Sequence, residues 1–462
     1  MTIESSETTP NVKTHYLDDA RMCSEHYKFL IILALAYAFD QMDLFTFSFV
    51  APALTKHWGV TMEWIGLVNS CTFVGMLFGC WFGGWLSDVI GRKKTFLYSV
   101  AFFSTFSILN GLAPNKEIFL IFRTLTGFGI LSMVVVAMVY ITEILPSASR
   151  GKWQAISLAT GLLSVPLIGQ VAQRVIPSSP DGWRHIFFIG GTGFIILILG
   201  LRWLKESPRW LISKGRYAEA EVIIQRFMPD VKVDIKNEAS IPVQGTINQK
   251  EKGTLAALTE IFSKKYARKT SVLITMVCGI TVGYFMFFAW MPTLLNEFGF
   301  TLEDALWMSA LVSFGSPIGN LLAATVTDKG GRKIPIVIYS ILVGVMTIAF
   351  GTLKIPILII GIGFLIRVLM DGVFVVMWSY LAESYPTHIR NSGTGFIYST
   401  GRLLTAGAMI VVPMIYKSFG YTTLFSIIGV MFLIVAVVTG IWGERTAGLS
   451  LDEIGHKDTY NL

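Results

Sequence analysis

Twelve long apolar runs, separated by short polar loops, leave this chain few ways to fold. A run of roughly 20 apolar residues crosses the hydrocarbon layer of a bilayer as one helix. In the first half the runs lie at about 28–54, 63–87, 95–113, 117–142, 152–175 and 183–204. In the second half they lie at about 270–292, 303–326, 333–353, 355–381, 392–416 and 421–443. Of the 462 residues, 53% are hydrophobic and 15% charged, and the mean hydropathy is +0.61. That is too apolar for a soluble chain of this size and predicts an all-α, multi-pass membrane protein. The net charge of +7 sits in the loops. It therefore argues orientation in a membrane, not nucleic-acid binding.

Three short patterns occur twice, each second copy 240 residues after the first. Asp88-Val89-Ile90-Gly91-Arg92-Lys93 returns as Asp328-Lys329-Gly330-Gly331-Arg332-Lys333. Glu143, Pro146 and Arg150 return as Glu383, Pro386 and Arg390, and Gly75 and Gly79 return as Gly315 and Gly319. Pro52 and Gly59 keep the same spacing with Pro292 and Gly299. The chain thus reads as two related apolar halves, an organisation common in secondary transporters. The expected layout is a polar tail over 1–27, a six-helix bundle over 28–204, a polar linker over 205–269, a second six-helix bundle over 270–443 and a tail over 444–462. Within the linker, Ser207-Pro208 opens a short helix. Arg216–Phe227 reads as an amphipathic surface helix with Ala218, Val222 and Ile223 on one side.

Lys and Arg cluster in alternate loops: Arg92, Lys93, Lys94, Arg150, Lys152, Arg332, Lys333 and Arg390, together with the linker. The positive-inside rule places both termini and the linker in the cytoplasm, with the protein in the cell's plasma (inner) membrane. The polar start and the long first span, which carries acids, do not fit a signal peptide. Cys71, Cys80 and Cys278 fall inside apolar runs and Cys23 in the tail, so no disulfide framework is readable. No metal-ligand cluster, nucleophile motif or phosphate loop stands out, so neither an enzyme nor a cofactor is expected.

An ionised side chain at mid-membrane costs about 2.5–3.5 kcal/mol on insertion scales and is a functional candidate. Asp40 lies roughly 18 Å into the first span, near mid-depth. Asp43 follows on the same face, about one turn further out. Two carboxylates this close resist ionising together, which suits a group that takes up and releases a proton. The alternative is a fixed ion pair between one aspartate and an arginine of another span. Arg402 lies roughly 15 Å into span 11 among small neighbours, Ser399, Thr400, Gly401 and Thr405. Its planar fork matches a substrate carboxylate, or it bridges the central cavity to Asp40 or Asp43. Arg123 in span 4 has the same two readings. Arg367 and Asp371, four residues apart on one helix, can neutralise each other. Tyr284, Trp378 and Tyr398 head a set of aromatic residues in spans 7, 10 and 11. An aromatic-walled cavity with an arginine suits an aromatic acid; packing or lipid contact is the plainer reading.

The loop motifs suggest a latch. Arg92 can pair with Glu143 or Glu383, and Asp88 can sit at a helix N-terminus across the halves. Asp88, Arg92, Glu143, Arg150, Glu206, Arg209, Asp328, Arg332, Glu383 and Arg390 form the expected gating set. Topology determination by the basic loops is the alternative. The row Gly75, Gly79, Gly83 and its counterpart Gly315, Gly319, Ala323 would let helices approach closely, either as a sliding contact between halves or as rigid packing.

Gly84-Trp-Leu-Ser-Asp88-Val-Ile-Gly91-Arg92-Lys93-Lys94 resembles the loop signature between spans 2 and 3 of the major facilitator superfamily. The second copy between spans 8 and 9 fits the same family. So do Glu143…Pro146…Arg150-Gly151 and Glu206-Ser207-Pro208-Arg209-Trp210, which resemble cytoplasmic motifs of sugar porters and organic-ion transporters. Asp40-Gln41-Met42-Asp43, the ending Ala51-Pro52-Ala53-Leu54, Arg123-x-x-x-Gly127-x-Gly129 and Gly401-Arg402 are similar to the aromatic acid:proton symporters. The chain departs from that group in carrying Gln41 where the group has glycine, which sets a bulky amide beside both acids. Span 7 lacks the paired glutamines of sugar porters.

The resemblance implies the major facilitator fold, twelve transmembrane helices in two six-helix bundles. It also implies proton-coupled symport of a small organic anion by alternating access. Asp40 and Asp43 would handle the proton. Arg402, Arg123, Tyr284, Trp378 and Tyr398 would meet the substrate. The expected partners are a small molecule, protons and the lipid bilayer, with the proton gradient as energy source and the protein working as a monomer. The alternatives are an organic-cation, drug or sugar-type carrier of the same fold, or a nutrient sensor that does not transport.

Overall fold

A computed structural model describes residues 16–18, 20–229, 259–385 and 387–444; it does not describe the side chains of 324–330, 382, 387, 388, 390 and 391. Among the described residues every regular element is helical. The first half comprises α1 (Ser24–Trp58), α2 (Met62–Ile90), α3 (Arg92–Leu112), α4 (Lys116–Ile144), α5 (Ser147–Leu162), α6 (Ser164–Val175), α7 (Gly182–Gly191) and α8 (Phe194–Trp203). The linker contributes α9 (Pro208–Ser213) and α10 (Tyr217–Phe227). The second half comprises α11 (Ala267–Phe288), α12 (Met291–Glu297), α13 (Leu302–Ser313), α14 (Gly315–Gly330), α15 (Lys333–Phe350), α16 (Pro356–Glu383) and α17 (Thr387–Trp442).

The local signals explain the boundaries. Thr61, Asn115 and Thr301 each accept a hydrogen bond from the backbone N–H three residues on, capping α2, α4 and α13. Ser207 caps α9, with Pro208 in its first turn. Spans 5, 6, 7 and 8 of the sequence reading each divide into two segments, α5–α6, α7–α8, α11–α12 and α13–α14. Leu163 and Phe314 keep right-handed helical backbone at the breaks, so these are kinks within a span and not loops. Conversely, spans 11 and 12 run together as α17, divided where Gly420 takes φ 81°. Among the described residues eleven helical stretches are long and apolar enough to cross a membrane, and the last, Ser392–Trp442, contains that break and so supplies two crossings. Large apolar side chains cover the outside, Trp81 at 77%, Ile357 at 70% and Ile198 at 67% exposure among them, as a protein facing lipid requires.

The 240-residue repeat extends to individual contacts. Arg92 pairs with Glu143 at 3.0 Å, and their counterparts Arg332 and Glu383 pair at 3.1 Å. The Tyr140 hydroxyl donates to the Lys205 carbonyl, and the Tyr380 hydroxyl to the Glu444 carbonyl at 3.0 Å. Each tyrosine thus ties its helix to the chain that leaves its bundle. A Cβ on Gly75 or Gly79 would land on the carbonyl oxygens of Thr124 and Phe128 in α4. A Cβ on Gly315 or Gly319 would land on those of Phe364 and Val368 in α16, again 240 residues on. The glycine rows are therefore seams inside each half, which favours rigid packing over the sliding contact between halves that the sequence left as the other reading.

The halves meet elsewhere. A Cβ on Gly66 of α2 would lie 2.6 Å from the Met409 carbonyl oxygen and 3.3 Å from Pro413, both of α17, and the Glu63 and Lys417 side chains form an ion pair beside it. A Cβ on Gly169 of α6 would lie 2.9 Å from Ala310 of α13. Both junctions lie toward the end of the molecule opposite the basic loops. The linker helix α10 buries Ala220, Ile224 and Phe227, leaving Val222 55% exposed. Its packed face is thus Ala220–Ile224–Phe227, not the Ala218–Val222–Ile223 face read from sequence. The error is one of helical phase, which a segment this short fixes poorly.

Gly79→Val should lower the unfolding temperature of the detergent-solubilised protein, by about 1–3 kcal/mol of stability, because the new side chain meets backbone that cannot move aside. Gly84→Ala is the control. Its Cβ would meet only Val135, at 4.0 Å, and the unfolding temperature should stay unchanged.

Candidate substrate and proton site

Asp43 lies at the centre of the first half and is 2% exposed. Arg123 of α4 donates one N–H to its carboxylate at 2.6 Å and another to its backbone carbonyl at 2.6 Å. Ser107 of α3 adds a longer hydrogen bond to the carboxylate, 3.4 Å, and also donates to the Phe187 carbonyl of α7. The guanidinium lies between the rings of Phe47 and Phe187, its carbon 5.9 Å from each centroid. Arg123 is itself 1% exposed. In this conformation its fork is engaged by Asp43, the structural pairing that sequence reading left open. Ser107 had no sequence signal: it is one small residue in an apolar run, and only the fold brings it to Asp43.

The second half has its own buried charges. Arg367 Nε lies 2.6 Å from Asp371 Oδ2 on the same helix, α16. Tyr284 of α11 donates its hydroxyl to Asp371 Oδ1 at 3.1 Å, and Arg367 donates to Ser316 at 3.2 Å. The guanidinium faces Phe288 at 4.1 Å, with Tyr284 and Phe45 at 5.0 Å each. Phe45 belongs to α1, so this cluster also joins the halves. Tyr284 is buried and committed to Asp371, which makes it a brace of the pair in this conformation.

Arg402 differs from both. Its Nε donates to the Tyr398 hydroxyl at 2.8 Å, one turn earlier on α17. Rings enclose it: Tyr398 at 5.1 Å, Phe285 of α11 at 5.4 Å and Phe73 of α2 at 5.8 Å. Phe73 and Phe285 meet edge to face at 4.9 Å, so the two halves contribute adjoining walls. Trp378 of α16 packs against Tyr398, the ring centroids 4.7 Å apart and the planes tilted by 52°, and is 38% exposed. The Nη1 of Arg402 is buried and has no hydrogen-bond partner. Nε of Arg123 and of Arg367 also lacks one, but each of those guanidiniums has an aspartate at 2.6 Å, and among the described residues Arg402 has no aspartate so placed. A buried donor left without a partner costs about 1–3 kcal/mol. Asp40, 7% exposed, is close enough to Arg402 and Asp43 to interact electrostatically with both. Among the described residues no ion pair within 4.0 Å joins Asp40 to a base; a hydrogen bond reaches it from the neutral amide of Gln41, at 2.8 Å.

The basic loops form a separate network. Arg92 bridges Glu143 and Asp88 at the junction of α2 and α3. Glu206 accepts hydrogen bonds from the backbone N–H groups of Arg92, Lys93 and Ser207, at 2.7, 3.1 and 3.0 Å. The acid at a helix N-terminus is therefore Glu206 on α3, within one half, and Asp88 is exposed beside Arg92. This corrects the expectation that Asp88 reaches across. Gly91 makes the arrangement possible: its φ is 103°, and a Cβ there would collide with the Glu206 carboxylate. Arg150 and Arg209 share Asp18, at 2.7 and 3.4 Å. Burial pushes the Arg209 guanidinium below its ordinary range, and Asp18 opposes that shift. Asp18 was invisible in the sequence because it lies in the tail and has no copy in the repeat. Each of these contacts joins residues of the first half, its tail and the start of the linker, and none of them crosses to the second half. The side chains of Asp328 and Arg390, also in the expected gating set, lie outside the described residues.

The sequence model of the Major Facilitator Superfamily matches residues 33–409 and 294–458. The chain belongs to this superfamily. It is 34% identical to the putative metabolite transport protein YyaJ of Bacillus subtilis, over 93% of this chain and 95% of that one. It is 29% identical to the niacin transporter NiaP of Acinetobacter baylyi, over 93% and 96% of the two chains. The fold superposes with a TM-score of 0.74 on the xylose transporter XylE of Escherichia coli in a partially occluded inward-open conformation. That match is 18% identical and covers 93% of this chain and 100% of that one. The protein is a membrane transporter of small molecules and not an enzyme.

Arg123→Ala should destabilise the protein by about 3–5 kcal/mol, since it strands a buried carboxylate. Adding Asp43→Asn should recover much of that loss. A double-mutant cycle on thermal unfolding measures both.

Proposed function

We propose that this transporter carries a small organic anion, an aromatic or heterocyclic carboxylate, together with protons. The observation that carries the reading is the contrast among three intramembrane arginines, in which charge neutralisation by an aspartate is the difference. Arg123 and Arg367 are each held by an aspartate at 2.6 Å. Arg402 has a buried Nη1 without a partner, inside a ring-lined space at the junction of the halves. A carboxylate accepts from that nitrogen in a charge-assisted hydrogen bond, and an attached ring stacks on Phe73, Phe285 or Tyr398. Niacin, which names one relative, is an aromatic ring bearing a carboxylate.

Asp40 is the proton carrier in this reading. A buried carboxylate without a cation beside it is costly when ionised. It becomes favourable when it takes up a proton or when a positive charge approaches. Substrate binding neutralises Arg402, so the proton and the anion enter the site together. The basic loops, and with them both termini, face the cytoplasm of the cell membrane. The motif pairs, Arg92–Glu143 and Arg332–Glu383, stiffen that end of each bundle, and the halves rock about the far end to alternate access. The proton gradient drives accumulation, and one chain forms the whole pathway.

A thermal-shift screen of the purified protein with nicotinate, benzoate, organic cations and neutral sugars tests the ligand class. At about 100 times its dissociation constant, a ligand stabilises the folded state by about 2.7 kcal/mol. Carboxylates should stabilise the wild type, more so at low pH, and Arg402→Ala should lose the effect. Stabilisation by cations alone would make the aspartates the binding site and overturn the anion reading. In proteoliposomes, Asp40→Asn should abolish accumulation driven by a pH gradient yet keep part of the exchange activity. Wild-type accumulation by that variant would remove Asp40 from the coupling step.

A further inference from the structure

Asp40 and Asp43 lie one turn apart on α1, yet different chemistry holds them. Asp43, like Asp371 in the other half, has a guanidinium at 2.6 Å. Asp40 has the side-chain amide of Gln41, whose Nε2 donates to Oδ2 at 2.8 Å. The two partners are not equivalent. A guanidinium carries donors only and stays charged, so it holds an aspartate as the anion. A carboxamide carries donors and an acceptor on one plane, and its terminal torsion is soft. It donates N–H to a carboxylate. After half a turn, its carbonyl accepts the O–H of a carboxylic acid.

We infer that Gln41 is the positioning residue of the proton site, an amide that hydrogen-bonds Asp40 in both of its protonation states and keeps it from closing on Arg402. The inference rests on reading Asp40 as the proton carrier. The ionisable groups facing Asp40 are Tyr37 and Asp43 on α1, Arg402 from α17 and, through Asp43, Arg123 from α4. The two bases among them have other contacts: Arg123 is taken by Asp43, and Arg402 is turned by its Nε bond to Tyr398. Gln41 is half-buried on the same helix, so replacing it does not open the core. Holding Asp40 by a neutral group has a second consequence: Arg402 keeps Nη1 free for the substrate. Gln41 therefore serves both ions, the proton directly and the organic anion by leaving its arginine unpaired.

The test is infrared difference titration of the purified, full-length transporter. The carboxylic-acid band absent from Asp40→Asn is assigned to Asp40 and followed from about pH 4 to 9. In Gln41→Leu, the midpoint of that band should move down by about one pH unit, because Asp40 loses the amide that holds it away and closes on the Arg402 cation. In Gln41→Lys, a fixed cation should hold the anion and remove the band from this range. Nicotinate is the binding probe. Gln41→Leu, freed to pair Asp40 with Arg402, should bind it about tenfold more weakly, and Gln41→Asn should recover part of the loss. Unchanged midpoints in both Gln41→Leu and Gln41→Lys, with the Asp40 band present, would overturn the role of Gln41 and leave Asp40 as carrier. Absence of any titrating band lost in Asp40→Asn would instead overturn Asp40 as the carrier, and the inference with it. Thermal unfolding of each variant separates these outcomes from a folding defect.

Discussion

Burying charge where no water can reach it constrains the rest of this structure. The Asp43–Arg123 pair shows how the constraint is met. Asp43 comes from α1, Arg123 from α4, Ser107 from α3, and the Phe187 carbonyl from α7 closes the set. Four helices must hold their register for the pair to be satisfied, so the first half packs around it as one body. Arg367, Asp371, Tyr284 and Ser316 do the same for the second half with different residues at different depths. The repeat is thus not a copy of the buried charges. It is a copy of the scaffold: glycine seams, the loop ion pairs and the tyrosine ties.

That division of labour suits a transporter. Two stiff bundles rock as units only if their internal contacts outlast the motion. Gly75 and Gly79 bring α2 against α4 backbone to backbone, and Gly315 and Gly319 bring α14 against α16. The contacts between bundles are mixed. Near the end opposite the basic loops Gly66 of α2 meets the Met409 carbonyl of α17, beside side-chain contacts and a half-exposed ion pair, Glu63–Lys417, worth little on its own. At mid-depth they are rings, Phe73 on Phe285 and Phe45 over Arg367. Such contacts can part and re-form without breaking a backbone hydrogen bond. The central site lies among them, so a ligand there bears directly on how the halves meet.

Much of this was legible in the chain. The spans, the two halves and a latch of acids and bases at the loop motifs followed from apolar length, a fixed offset and opposite charges at matched positions; that Arg92 takes Glu143 and Arg332 takes Glu383 did not. The set of candidate charges was also legible, because a charged side chain in an apolar run is conspicuous. Which charge met which was not. Arg123 had two possible partners in α1 and took Asp43. Asp88 and Glu206 both had the chemistry to cap a helix, and geometry gave the place to Glu206. Asp18, Ser107 and the ring of Phe73 carried no signal, because a tail acid, a small polar residue and a phenylalanine are ordinary in such a sequence.

The sequence by itself determined that the chain crosses a membrane many times, that it is built twice and that it carries more intramembrane charge than packing alone requires. Hydrophobic length, periodicity and charge are properties of residues in order, so they can be read in order. Only the tertiary structure decided that two of the three intramembrane arginines have an aspartate at 2.6 Å and that half-buried Arg402 does not. It also decided that Asp40 leans on a neutral amide. Those are facts of distance between helices far apart in the chain. Coulombic and hydrogen-bond energies fall steeply over the few ångströms that helix packing fixes.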